Sequence, residues 1–198
     1  MKIMILIIVG LFIFTQTLIA NEQKVLENHF LNKIDEVVLI VKDKSLDKTT
    51  RNTNIVNVLT PMFDFELMGK LSLGRVWRTL AEPNRKEFVS LYIERMKQSY
   101  SSKIDAYSDE QIAITEILQP KSNRIELVTN LVSKDNKLEI SYKFYKPQEL
   151  KINKDKWLIY DVVISGVSIL KTDIAQFREF LQSKNITELI AQLKLNAK

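Results

Sequence analysis

The sequence predicts an α+β fold in which a curved, mostly antiparallel sheet of about four strands packs against several helices, with an apolar cavity between the layers. Three observations carry this expectation. Apolar residues recur at steps of three and four through the first half of the chain, the period switches to two from Gln111, and two short helical patterns follow the last strand-like run. That run, WLIYDVVISGVSIL at residues 157–170, is almost entirely large and apolar, so both faces are expected to be covered and the strand to be central. Asp161 is its exception and needs a hydrogen-bonding partner. Gly166 supplies a backbone conformation closed to other residues, just before Ser168. Asp161 and Ser168 are expected to tie the strand to the chain that follows.

Taken in order, the chain opens with Lys2 and the run IMILIIVGLFIF, followed by polar Thr15, Gln16 and Thr17 and small Ala20. The run is short and abruptly ended for a spanning helix, and it reads as a secretory signal peptide over residues 1–20 cut after Ala20. Leu18 is large for its place before the cut, so an uncleaved anchor stays open. Residues 21–198 are then expected to form a single domain outside the cytoplasm. From 22 to 41, Val25, Leu26, Phe30, Ile34, Val37, Val38 and Val41 make a one-sided helical stripe. A polar turn at 44–54 leads to a helical piece at 55–59, which Thr60 and Pro61 stop.

Residues 61–77, PMFDFELMGKLSLGRVW, carry too many apolar side chains for one helix face. Short helices broken at Gly69 and Gly74 would turn several faces inward. Pro83 suits the first turn of a long helix, along which Phe88, Leu91, Tyr92, Met96, Tyr100 and Ile104 form one dry face. Arg85, Lys86, Glu87, Glu94, Arg95 and Lys97 read as its solvated side. The runs QIAITEIL, RIELVTNLV, KLEISYKFYK and WLIYDVVIS are the strands, the second and third joined by a hairpin at 133–136. Leu138, Ile140, Tyr142 and Phe144 alternate with Glu139, Ser141, Lys143 and Tyr145, giving one dry and one wet face. Helices at 173–181 and 186–195 close the chain.

Composition narrows the function. The chain has no cysteine, which removes disulfides, thiolate metal sites and lipoprotein attachment. Its single histidine, His29, has no second imidazole to share a metal, so neither metal nor cofactor is expected. A net charge of +5 favours anionic surroundings, but no basic block stands out and nucleic acid is not the expected partner. There is no phosphate-cradling glycine loop and no GxSxG, and Ser168 lacks a base to activate it. Asp64 with Glu66, or Asp105 with Asp109 and Glu110, lie among other charges rather than in a shielded cleft. These absences point away from catalysis and toward a binding protein with an apolar interior.

The order FDFELM, LGRVWR, EPNRKEF, a tyrosine-bearing helix, WLIYDVVISGVSIL and a closing QFREFL resembles the MlaC family, also called the toluene-tolerance auxiliary family. The likeness spans about residues 55–193 and is most specific at Leu73-Gly74, Arg85 with Phe88, Tyr160-Asp161 and Gly166-Val167-Ser168. Asn84 departs from a frequent Gln before Arg85, and residues 148–155 resemble a lengthened connection. The resemblance implies a periplasmic phospholipid carrier. It would pass lipid between an outer-membrane lipoprotein complex and an inner-membrane ABC transporter complex, maintain outer-membrane lipid asymmetry, and act as a monomer that holds acyl chains between the sheet and the helices.

On that reading Phe63, Met68, Leu91, Tyr92, Met96 and Tyr100 are expected to form the helical wall of the chamber, and Leu127, Ile140, Tyr142 and Val167 its sheet wall. A glutamate at position 167 would then empty it. Ordinary core packing is the competing account of every one of these positions. A carrier for another amphiphile, such as a hopanoid-type lipid or a quinone, and a periplasmic adaptor with no ligand remain as alternatives.

Overall fold

In the computed structural model of the chain, the described backbone comprises residues 2–105, 111–132 and 137–196, and the described side chains those of 21–98, 111–132 and 137–196. The expected hairpin at 133–136 and the side chains of Tyr100 and Ile104 lie outside them. The elements run α1 (Lys2–Lys42), α2 (Lys48–Leu59), α3 (Phe65–Leu73), α4 (Glu82–Asp105), β1 (Gln111–Lys121), β2 (Arg124–Val132), β3 (Lys137–Tyr145), β4 (Leu158–Ile164), β5 (Val167–Ser168), α5 (Ile169–Ser183) and α6 (Ile186–Asn196). Short 3-10 segments, Thr60–Met62 and Gly74–Thr79, flank α3. The fold is α+β, as expected.

The helices depart from the sequence reading where side-chain caps or close contacts override composition. α1 runs unbroken from Lys2 to Lys42, well N-terminal of the stripe that begins at Val25. α2 starts at Lys48, within the stretch read as a polar turn, because the Asp47 carboxylate accepts the Thr49 and Thr50 amides at 2.9 and 3.0 Å. α3 is not broken at Gly69. There the missing side chain lets α4 approach, and a Cβ would stand 3.3 Å from Phe88 Cε1. Gly74 does end α3, at a φ of 55° that favours glycine.

The sheet has five strands in the order β1-β2-β3-β4-β5, each antiparallel to its neighbour. Irregularities at Ile114/Glu116 in β1 and opposite Lys143/Phe144 in β3 bend it, as bulges do. The fifth strand is the unexpected one. Ser165 and Gly166, at φ 48° and 80°, turn the chain tightly so that Val167 pairs with Ile164. β4 is consequently not fully central. Among the described residues its outer edge is met by this two-residue strand and by Phe63, with the Asp64 amide donating to the Ile159 carbonyl at 3.0 Å.

Asp161, the misfit of the apolar run, organises this corner. The Ser168 hydroxyl donates to both of its carboxylate oxygens (3.0 and 2.8 Å), and the Leu170 amide donates at 3.1 Å. Ser168 Oγ in turn accepts the Lys171 amide and caps α5. Asp161 and Ser168 are both buried, and the pair joins strand, turn and helix by direct hydrogen bonds. Replacing Asp161 with Ala leaves the Leu170 amide and the Ser168 hydroxyl unpaired, and is predicted to cost about 3 kcal/mol in urea unfolding, with faster amide exchange at Leu170 and Lys171. A cost below about 1 kcal/mol would mean that this knot does not hold the corner.

Candidate functional site

Two kinds of interior lie side by side. In one, α3, α4, α5 and α6 are in full contact. Phe88, Tyr92 and Phe177 meet ring to ring at 5.7 to 6.4 Å, and Met68, Leu73, Trp77, Leu189 and Leu193 are buried around them. In the other, the helical layer stands off the sheet and leaves a cavity of about 490 Å³. α1 contributes Phe30, Ile34, Val37, Val38 and Val41 to its wall; α2 contributes Val56 and Leu59; the chain from Thr60 to Phe65 and Met96 with Lys97 of α4 complete the helical side. The sheet side is Ile112, Leu131, Leu138, Ile140, Tyr142, Ile159, Val162 and Ile164. The pairings Leu131 with Leu138, Tyr142 with Val162 and Ile140 with Ile164 put these side chains on one face.

Of the ten residues expected to form the walls, Phe63, Met96, Ile140 and Tyr142 face this cavity. Met68 and Leu127 are not among the residues that line the cavity and are fully buried. Tyr92 is too, and its hydroxyl donates to Asp173 Oδ2 at 2.7 Å. Leu91 is half-buried against the same packing. Val167 is 62% exposed, because the tight turn before it carries the strand past the end of the chamber. It is not among the residues that line this cavity, so a glutamate there would not enter the chamber. The charged side of α4 is likewise not wholly solvated: Arg95 Nη1 lies 2.6 Å from the buried Asp173 carboxylate, clamping α4 to α5 beside Tyr92.

The largest omission is α1. Its stripe was plain in the sequence, but the pattern does not say whether it meets side chains or space. Its smaller β-branched residues, Val37, Val38 and Val41, were the available hint. The second omission is Asp64, which is structural yet central to the rim. Its carboxylate caps α3 by accepting the Leu67 amide at 3.1 Å, accepts a hydrogen bond from the Tyr145 hydroxyl, and pairs with Lys151 at 2.8 Å. Lys154 donates to the Thr60 and Phe63 carbonyls at 2.7 and 2.8 Å, and His29 Nε2 lies 2.7 Å from Asp155 Oδ2. The connection before Trp157 is thereby fastened to α1 and to the wall segment at 60–65. Among the described residues no group of His, Cys, Asp and Glu could hold a metal ion, and no helix is long and apolar enough to cross a membrane.

Electrostatics follow from this arrangement. Burial works to raise the Asp64 carboxyl, but Lys151, the Tyr145 hydroxyl and the Leu67 amide outweigh it and hold it below the ordinary value of 3.8. Burial and the neighbouring Asp64 carboxylate push the Tyr145 hydroxyl up, and burial lowers the Lys154 ammonium. Within the chamber, burial alone pushes the Tyr142 hydroxyl up to about 12.

A family model described as MlaC protein matches residues 32–195. The chain is 26% identical over 190 residues to the intermembrane phospholipid transport system binding protein MlaC of Haemophilus influenzae, a match covering 94% of this chain and 87% of that one. In structure it is similar to a phospholipid-binding protein from Ralstonia solanacearum solved in complex with a phospholipid. The TM-score is 0.74 at 14% identity, over 86% of this chain and 95% of that chain.

The lowered Asp64 carboxyl sets a prediction. Its contribution to stability is complete above the ordinary carboxylate value and is lost as pH falls through the lower folded value. Asp64→Asn is therefore expected to destabilise the protein by about 2–4 kcal/mol at neutral pH and to flatten the loss of stability below about pH 4. Chemical denaturation at a series of pH values reads both effects, and a variant that keeps the native acid slope removes Asp64 from the account.

Proposed function

The chain belongs to the MlaC family, and from that premise we propose that it is a periplasmic phospholipid-binding shuttle whose cargo sits in the chamber between the sheet and the helical layer. The observation that carries the reading is the cavity itself. At about 490 Å³ it falls within the roughly 300–1,000 Å³ usual for small-molecule sites, and its wall is apolar almost throughout. Moving a methylene out of water into such a space gains ~0.8 kcal/mol, so an acyl chain of about sixteen carbons gains on the order of 12 kcal/mol. A bilayer offers a comparable gain. Transfer between membrane and protein is then close to balanced, and direction comes from partners with different affinities for the loaded and empty forms.

In this proposal residues 1–20 are a leader that directs export, residues 21–198 act as one lipid-binding unit, and the working form is a monomer. The partners are an outer-membrane lipoprotein complex and an inner-membrane ABC transporter complex, between which the protein maintains outer-membrane lipid asymmetry. No catalytic role is assigned to any residue. The headgroup stays at the mouth, since a phosphate taken into an apolar chamber without several donors would be costly.

Organic extraction of the purified protein followed by mass spectrometry is expected to yield phospholipid. Ile140→Trp, which drives a ring into the chamber, is expected to cut the yield to roughly a tenth or less. Val167→Glu is expected to leave it unchanged. An extract free of lipid, or one dominated by a quinone or a hopanoid-type lipid, would refute the assignment.

A further inference from the structure

Three wall side chains carry hydrogen-bonding groups among the described residues: Thr60, Lys97 and Tyr142. Two of these are engaged. The Thr60 hydroxyl donates to the Val56 carbonyl at 2.6 Å, and the Lys97 ammonium lies 2.9 Å from Glu94. Tyr142 differs. Its ring is set by the strand register between Leu127 and Val162 and by Phe30, whose ring centroid is 4.8 Å away. Its hydroxyl has no protein partner among the described residues and is not sealed into the packing. A hydroxyl left without an acceptor in an apolar space is unfavourable, and an acceptor brought in by a guest would remove that cost.

The chemistry of the missing acceptor is constrained. Burial raises the Tyr142 hydroxyl to about 12, so near neutral pH it stays protonated and uncharged, a single neutral donor. One such donor suits a neutral carbonyl oxygen and falls far short of what a phosphate requires. A free hydrocarbon chain has no acceptor to offer. In a diacyl lipid the carbonyl stands at the head of the chain, where apolar tail meets polar glycerol. Resting on the phospholipid reading above, we propose that the Tyr142 hydroxyl donates a hydrogen bond to an ester carbonyl of the bound lipid and makes the chamber select ester-linked over ether-linked chains.

The test compares two phosphatidylglycerols of equal chain length, one diester and one diether, for binding to the delipidated full chain and to Tyr142→Phe. The native protein is expected to favour the diester by roughly fivefold, the size of one net hydrogen bond, and Tyr142→Phe to lose that preference. A native protein that binds both lipids equally, or a variant that keeps the preference, overturns the inference while leaving the chamber as the lipid site. Failure of the native protein to bind either lipid overturns it together with the reading on which it rests.

Discussion

An apolar sheet face and an apolar helix face close on each other in water unless something holds them apart, because close packing is the favourable end state of any such pair. Here the spacer is the solid half of the protein. Phe88, Tyr92 and Phe177 fill the angle between α4 and α5, and Asp173 takes hydrogen bonds from both Tyr92 and Arg95 to fix that angle. With α4 held at Phe88, Tyr92 and Arg95, Met96 and Lys97 line the cavity beside that grip. The open half therefore depends on the closed half, and not on rigidity of its own.

A second set of ties acts at the rim. Glu22 on α1 lies 2.7 Å from Lys146 and 3.1 Å from Lys156, which bracket the connection between β3 and β4. Within that connection Lys151, Lys154 and Asp155 reach Asp64, the carbonyls at 60 and 63, and the amide–carbonyl contact with Pro61. Beyond the buried Asp64 carboxylate, surface ion pairs such as those of Glu22 each contribute little. Their effect here is geometric, because they join α1, the wall segment at 60–65 and the sheet through a single loop.

Much of the fold was legible because strand and helix periods are strong signals over eight or more residues. The four long strands fall within three residues of the runs that predict them, β1 running on from Leu118 to Lys121, and Asp161 declared its need for a partner by sitting in an apolar run. β5 was not legible, since two residues carry no period, although Gly166 marked the turn that makes it. The site was legible only in part. Alternation told which faces are dry, and so brought Ile140 and Tyr142 to the chamber, but it could not tell Met96 on the wall from Tyr92 one turn away in the packing. That boundary is set by where α5 and α6 stop covering α4, which is a matter of tertiary contact. Gly69 misled for the same reason: its role is to admit Phe88, and a local reading took it as a break.

α4 belongs to both halves, and this has a thermodynamic consequence. On the reading proposed above, a guest in the chamber bears on Met96, which lies on the same rod as the clamp, beside Arg95 and one turn from Tyr92. Occupancy and helical order are then linked quantities, so a loaded protein resists melting more than an empty one. By reciprocity, anything that loosens the grip of α5 on α4 also loosens the hold on the guest. A partner that needs to empty the protein could do so from outside, by prying at that clamp, without ever entering the chamber.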